Sequence, residues 1–187
     1  AAKGRLKGSL QPFQPLMVKW RGRGEVMTLT HAETAEKPLI LKNKLLYCGL
    51  YLNELLMRLL PRGDACDNLM HAYWKTLLLL GCSEHPDWEL RRFELLLLQE
   101  SGYGVVLDST CEGEPVCCDQ TYVYRVGLGV IRDSSTADVL IQGGTLLALH
   151  HGEWRHERER HEAKLLMRRL IDHSLDYKPL KSRELFR

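Results

Sequence analysis

At 187 residues with 44% hydrophobic side chains, the chain can bury a core large enough for one domain or two small ones. No run approaches the roughly 18 uninterrupted apolar residues of a membrane span, and the opening AAKGRLKGSL lacks the apolar centre of a secretory signal, so neither membrane insertion nor export is indicated. The net charge of +2 conceals an asymmetry: residues 1–44 hold nine Lys and Arg against three Glu, while the rest holds 17 basic and 21 acidic residues. A basic end of this kind points to a polyanionic partner, or to a solvated basic face.

The first 35 residues have β character. PLMVKW (15–20) and EVMTLT (25–30) flank Arg-Gly-Arg-Gly, whose glycines suit the positive φ of a short hairpin loop. Two strands do not stand alone in water, so they pack on later helices or belong to a larger sheet. AAKG reads as the tail of a strand, which predicts an absent N-terminal portion and missing residues near Gly4.

From Leu39 the pattern turns helical. Leu45, Leu46, Leu50, Leu52, Leu55, Leu56, Leu59 and Leu60 cover over half of a helical wheel, so this helix should be central, and Pro61 with the following RGD ends it. A second helix is predicted from Asp67 to Gly81 with Leu69, Tyr73, Leu77 and Leu80 inward, and a third from SEHPD to Gly102. Residues 103–135 break the pattern: CEGEPVCCD reads as loop and TYVYRVGLGVIRD as a hairpin turning on Gly127 and Gly129. Helix resumes at TLLALHH, and a last helix should span about Glu153 to Leu175 with Leu165, Leu166, Leu170 and Ile171 buried.

Catalytic and metal motifs are weak. In HERERH, His156 and His161 are five apart, about 500° around a helix, and so do not share a face as two zinc ligands would. A charged face with pairs such as Glu157–His161 and Arg158–Glu162 fits better. The cysteines at 48, 66, 82, 111, 117 and 118 form no CxxC pair, so Cys111, Cys117 and Cys118 read as a metal-free loop and all six as buried free thiols in a reducing compartment. No GxxxxGK[ST], GxGxxG or GxSxG is present, and an enzyme is not expected.

The strings LKGSLQPFQPL, RGRGEV, GLYLNELLMRLLP, LRRFELLLL, SGYGV and KPLKSRELFR, in this order, resemble the RecO family of bacterial recombination mediators over nearly the whole chain. The resemblance implies an α+β protein: residues 1–37 as the later part of an N-terminal OB-fold β-barrel, and residues 38–187 as a mainly helical domain carrying a small zinc-ribbon-like β insertion at 104–135. That insertion lacks the two CxxC pairs of zinc-binding RecO proteins, and neither metal nor cofactor is expected. The implied function is to bind single- and double-stranded DNA, to anneal complementary strands and to contact the C-terminal tail of the single-strand-binding protein SSB. With RecR it would help load RecA onto SSB-coated DNA, in the cytoplasm at the nucleoid.

Lys3, Arg5, Lys7, Lys19, Arg21 and Arg23 supply the cations of a DNA groove, extended by Arg168, Arg169, Lys178, Lys181 and Arg183 near the C-terminus. Phe13 and Trp20 read as barrel or interdomain core before they read as stacking platforms. Arg91, Arg92 and Phe93 offer the cation and apolar surface that an acidic, apolar-ended SSB tail needs, unless the arginines merely form surface pairs with Glu89 or Glu94. The competing class is a scaffold that binds an acidic partner and never touches DNA.

Overall fold

The computed structural model describes residues 10–23, 26–61, 66–132, 140–154 and 156–186. Lys3, Arg5 and Lys7 lie outside them. The chain is α+β, with five helices, a two-stranded sheet and a three-stranded sheet among the described residues. None of these helices is long and apolar enough to cross a membrane.

The expected hairpin forms from β1 (Leu16–Arg21) and β2 (Thr28–Thr34), paired antiparallel with a register shift between Lys19 and Trp20. Gly22 in its loop has φ +152°, a region L side chains avoid. The described strands do not close into a barrel. Trp20 is 62% exposed, against its expected core position, because neither face of this two-stranded ribbon is covered by a second described layer. Phe13 does become core: α1 (Lys44–Leu59) carries Gly49 beneath it, where a Cβ would lie 2.6 Å from the Phe13 ring. Phe13 therefore pins the hairpin's base to the helices, helped by the Leu39 N–H donating to the Phe13 carbonyl at 3.1 Å.

α1, α2 (Asp67–Cys82), α3 (Pro86–Glu100) and α5 (Glu157–Ser174) enclose the main core. Leu52, Leu55, Leu77, Leu80 and Leu97 are fully buried, each contributing about 1.5–3 kcal/mol of transfer free energy. α5 begins later than the pattern suggests, because His156 caps it and Glu159 reaches back to the His156 N–H at 3.0 Å. Its buried stripe is Ala163, Leu166, Met167, Leu170, Ile171 and Ser174. Leu165 is exposed instead, standing about 100° off Leu166 and about 200° off Met167. Arg158 and Glu162 pair at 2.7 Å as expected.

Within residues 104–135, β3 (Thr121–Arg125) and β4 (Gly129–Ile131) form the expected hairpin, and β3 also pairs antiparallel with β5 (Leu140–Gln142), a strand beyond that range that runs straight into α4 (Gly143–His151). The cysteine loop is held by hydrogen bonds. The buried Tyr122 hydroxyl accepts the Cys117 N–H at 2.8 Å, while Gly143 N–H and Gly144 N–H, at the start of α4, donate to the Gln120 and Cys118 carbonyls. A Cβ on Gly143 would lie 1.9 Å from the Cys117 carbonyl oxygen, so the loop sits directly on this helix end. Among the described residues no three His, Cys, Asp or Glu side chains are grouped to hold a metal. All six thiols are free, but only Cys48 is buried. Cys82, Cys111 and Cys118 are exposed, contrary to the burial expected, because Cys82 ends α2 on an outward face and the other two sit on turns.

Candidate functional site

α1, α3, α5 and the short 3-10 segment Lys181–Phe186, about two turns long, converge on a cavity of about 500 Å³. Its apolar and aromatic lining comes from Leu45, Tyr51, Trp88, Leu90, Trp154 and Phe186. Among the described residues six cations also line it, Lys44, Arg91, Arg160, Lys164, Arg168 and Arg183, against one carboxylate, that of Asp87. Three of the cations follow from α5 itself: Arg160, Lys164 and Arg168 are four apart, about 400° per step, and so share a face.

The C-terminal segment is fastened to two helices. Glu54 of α1 accepts the N–H groups of Lys181 and Ser182 (3.0 and 2.8 Å) and the Ser182 hydroxyl (2.6 Å). Burial pushes the Glu54 carboxyl up, but these hydrogen bonds outweigh it and hold the group below the usual range. Arg183 pairs with Asp172 of α5. It is thereby fixed at the cavity.

Behind the cavity wall lies a buried network. Glu94 is 0% exposed; its Oε1 accepts from Arg91 Nη2 at 2.6 Å and from the Tyr51 hydroxyl at 2.7 Å. Burial raises the Glu94 carboxyl above its ordinary value despite Arg91 and Tyr51, and burial followed by the Glu94 charge drives Tyr51 well up. The pair is monodentate. Glu94 Oε2 and Arg91 Nε are both buried without a hydrogen-bond partner, as are the indole nitrogens of Trp88 and Trp154. Three of these orphaned donors therefore belong to residues that line the cavity.

Arg91 and Arg92 diverge, as neighbours about 100° apart on a helix must. Arg91 forms the Glu94 pair foreseen as an alternative, but in the interior and at the cavity, not on the surface. Arg92 lines a separate cleft of about 270 Å³ between α2 and α3, beside Lys75, Thr76 and Glu89. Phe93 is 2% exposed and packs its ring against Tyr73, centroids 6.1 Å apart.

Lys19, Arg21 and Arg23 are exposed along the hairpin. Arg168 and Arg183, which the sequence groups with DNA contacts, instead come together with Arg91 in the cavity. Arg169 is half-buried on α5, Lys178 pairs with Asp176 at 3.5 Å, and Lys181 is exposed. The sequence reading misses Lys44, Arg160 and Lys164. For Arg160 and Lys164 the four-residue spacing to Arg168 was the available signal; Lys44 is brought in only by tertiary packing.

Fold and cavity together define an α+β protein with a concave site that joins six cations to an apolar and aromatic lining. A family model described as "Recombination protein O C terminal" matches residues 44–184. Proteins named DNA repair protein RecO are similar over essentially the whole chain. That of Methylococcus capsulatus is 46% identical over 193 residues, covering 100% of this chain and 79% of the relative. That of Proteus mirabilis is 44% identical (100% and 78%), and that of Dechloromonas aromatica 41% (97% and 77%). The chain belongs to the RecO family, which places it in DNA repair and recombination.

Proposed function

We propose that this chain is a non-catalytic recombination mediator that receives the SSB tail in the α1/α3/α5 cavity while its basic hairpin holds DNA. The observation that carries this is the cavity's composition, six cations and one carboxylate around an aromatic lining. An acidic tail with an apolar end meets both demands of such a site, because its carboxylates find cations and its apolar end leaves water. Lys19, Arg21 and Arg23 on the exposed hairpin supply phosphate contacts for single- and double-stranded DNA. The reading extends to strand annealing, partnership with RecR, the loading of RecA and a cytoplasmic place at the nucleoid, for which the support is the resemblance to the RecO family.

The test is fluorescence anisotropy with a labelled SSB-tail peptide. Reversing Lys164 and Arg168 together to Glu should weaken binding at least about tenfold, since two charge-assisted contacts of about 1.5–3 kcal/mol are replaced by repulsion. Both residues are exposed, so the variant should remain folded, with Tm lowered only as far as Lys164 supports the ionised Glu94. Undiminished affinity rejects the cavity as the tail's receptor. The scaffold alternative draws support from Arg168 and Arg183, which face a cavity and not an open groove. DNA titrations separate the two: a DNA-binding mediator loses affinity steeply with salt, by about 0.7 to 0.9 log units per log unit of salt for each phosphate contact, whereas a scaffold shows no such binding.

A further inference from the structure

Arg91 faces two claims. It lines the cavity, yet its Nη2 is already engaged by a carboxylate that has no exposure to solvent. We propose that Glu94 is a positioning residue that yields Arg91 to an anionic ligand in the cavity and accepts a proton from solvent in exchange. This rests on the cavity being the receptor for an acidic peptide, and it adds how that receptor is regulated.

The geometry favours an exchange over simple addition. The Arg91–Glu94 pair uses one nitrogen and one oxygen, leaving Nε and Oε2 unpartnered, so the guanidinium is held by a single contact where two are possible. A ligand carboxylate in the cavity competes for the same fork. When Arg91 turns to it, Glu94 keeps only the Tyr51 hydroxyl. A bare carboxylate at full burial is strongly disfavoured, and protonation at Oε2 relieves it.

The surroundings act in the same direction. From α1, Cys48 and Tyr51 interact with Glu94; from α3, Arg91; from α5, Lys164; from the C-terminal segment, Arg183, while Asp87 of α3 acts on Cys48. Arg91, Lys164 and Arg183 favour the ionised form of Glu94, and all three line the cavity where ligand carboxylates would neutralise them. Occupation of the cavity therefore withdraws the cations that keep Glu94 ionised. Charge and bonds balance: Arg91 changes anionic partner, and one proton leaves hydronium or the buffer acid, breaking its bond there, to form an O–H bond on Glu94.

The experiment is isothermal titration of the full chain with an SSB-tail peptide between pH 6 and 8.5, in buffers of different ionisation enthalpy, which counts the protons taken up. The wild-type protein should take up as much as one proton, with Kd rising up to about tenfold per pH unit where uptake is complete. Glu94→Gln should bind with no uptake and a flat pH profile. An infrared difference spectrum of the wild-type protein should gain a protonated-carboxyl band on peptide addition, so the proposal remains testable if the variant folds poorly. Binding without proton uptake, or uptake that persists in Glu94→Gln, overturns the exchange while leaving the receptor intact. Uptake with no new carboxyl band does the same, since the proton then sits on a group other than Glu94. Absence of binding at every pH overturns the receptor and the exchange together.

Discussion

Replacing Arg91 with Met keeps the bulk of the stem and removes the cation from a fully buried carboxylate. Breaking a buried pair from one side typically costs about 3–5 kcal/mol, because the remaining charge is stranded. Glu94 has an escape, which is to take a proton, so the penalty depends on pH. In the folded state its carboxyl already titrates above the ordinary value of about 4.3, and without Arg91 it titrates higher still. A raised folded value means that the folded state holds the proton longer than the unfolded one does. Stability therefore falls as pH rises from the ordinary value through the folded one. The slope is at most about 1.4 kcal/mol per pH unit, so between pH 5.5 and 7.5 the variant should lose up to about 3 kcal/mol relative to wild type. At about 2–4 °C per kcal/mol for a chain of this size, the gap in Tm widens by at most about 6–12 °C over that interval, less whatever the wild type's own raised Glu94 carboxyl already loses. Thermal unfolding by circular dichroism at the two pH values measures it. Adding Glu94→Gln should recover most of the loss, as replacing both charges is far milder than stranding one. A variant as stable as the parent at pH 7.5, with no widening, would show that Arg91 and Glu94 are not a buried pair.

Three further outcomes follow from particular contacts. Glu54→Ala removes three hydrogen bonds to the C-terminal segment and should cost about 2–3 kcal/mol in urea unfolding; proteolysis should then begin near Lys181. Because the Glu54 carboxyl is depressed, its contribution is present above about pH 4.3 and fades as pH falls below that, so wild-type stability should drop on acidification and the variant's should drop less. Gly143→Ala drives a methyl into the Cys117 carbonyl and should cost about 3 kcal/mol or more, with hydrogen exchange rising first at Cys118–Thr121; unaltered exchange there would discard the contact. Arg21→Ala with Arg23→Ala should weaken single-stranded DNA binding, reduce the salt slope by about 1.4 and leave Tm unchanged, whereas full retained affinity returns the loop to a plain turn.

The helices were legible because leucine spacing alone decides which faces are buried. Tyr73, Leu77 and Leu80 turned inward as the pattern required, and Asp67 opened α2. The hairpin was legible from its glycines. Burial at single positions was less so: Leu165 and Met167 are equally apolar in sequence, and only the placement of α5 against its neighbours exposes one and buries the other. Trp20 is apolar enough for a core, yet its exposure depends on what covers the ribbon. The cysteine loop was legible as a loop, but its fastening to α4 through Gly143 and Tyr122 depends on long-range backbone geometry. For the cavity, Arg91 stood out as a cation beside apolar residues. Its convergence with Arg168 and Arg183 joins residues almost a hundred positions apart in the sequence, which no local pattern encodes.

The central claim is that the cavity between α1, α3 and α5 receives the acidic tail of SSB. Its most direct test is the affinity of a labelled SSB-tail peptide for the wild-type chain and for the Lys164→Glu, Arg168→Glu double variant, at one salt concentration and with Tm recorded for both. A loss of about tenfold or more is expected in a variant that remains folded. Equal affinities in two folded proteins would contradict that claim.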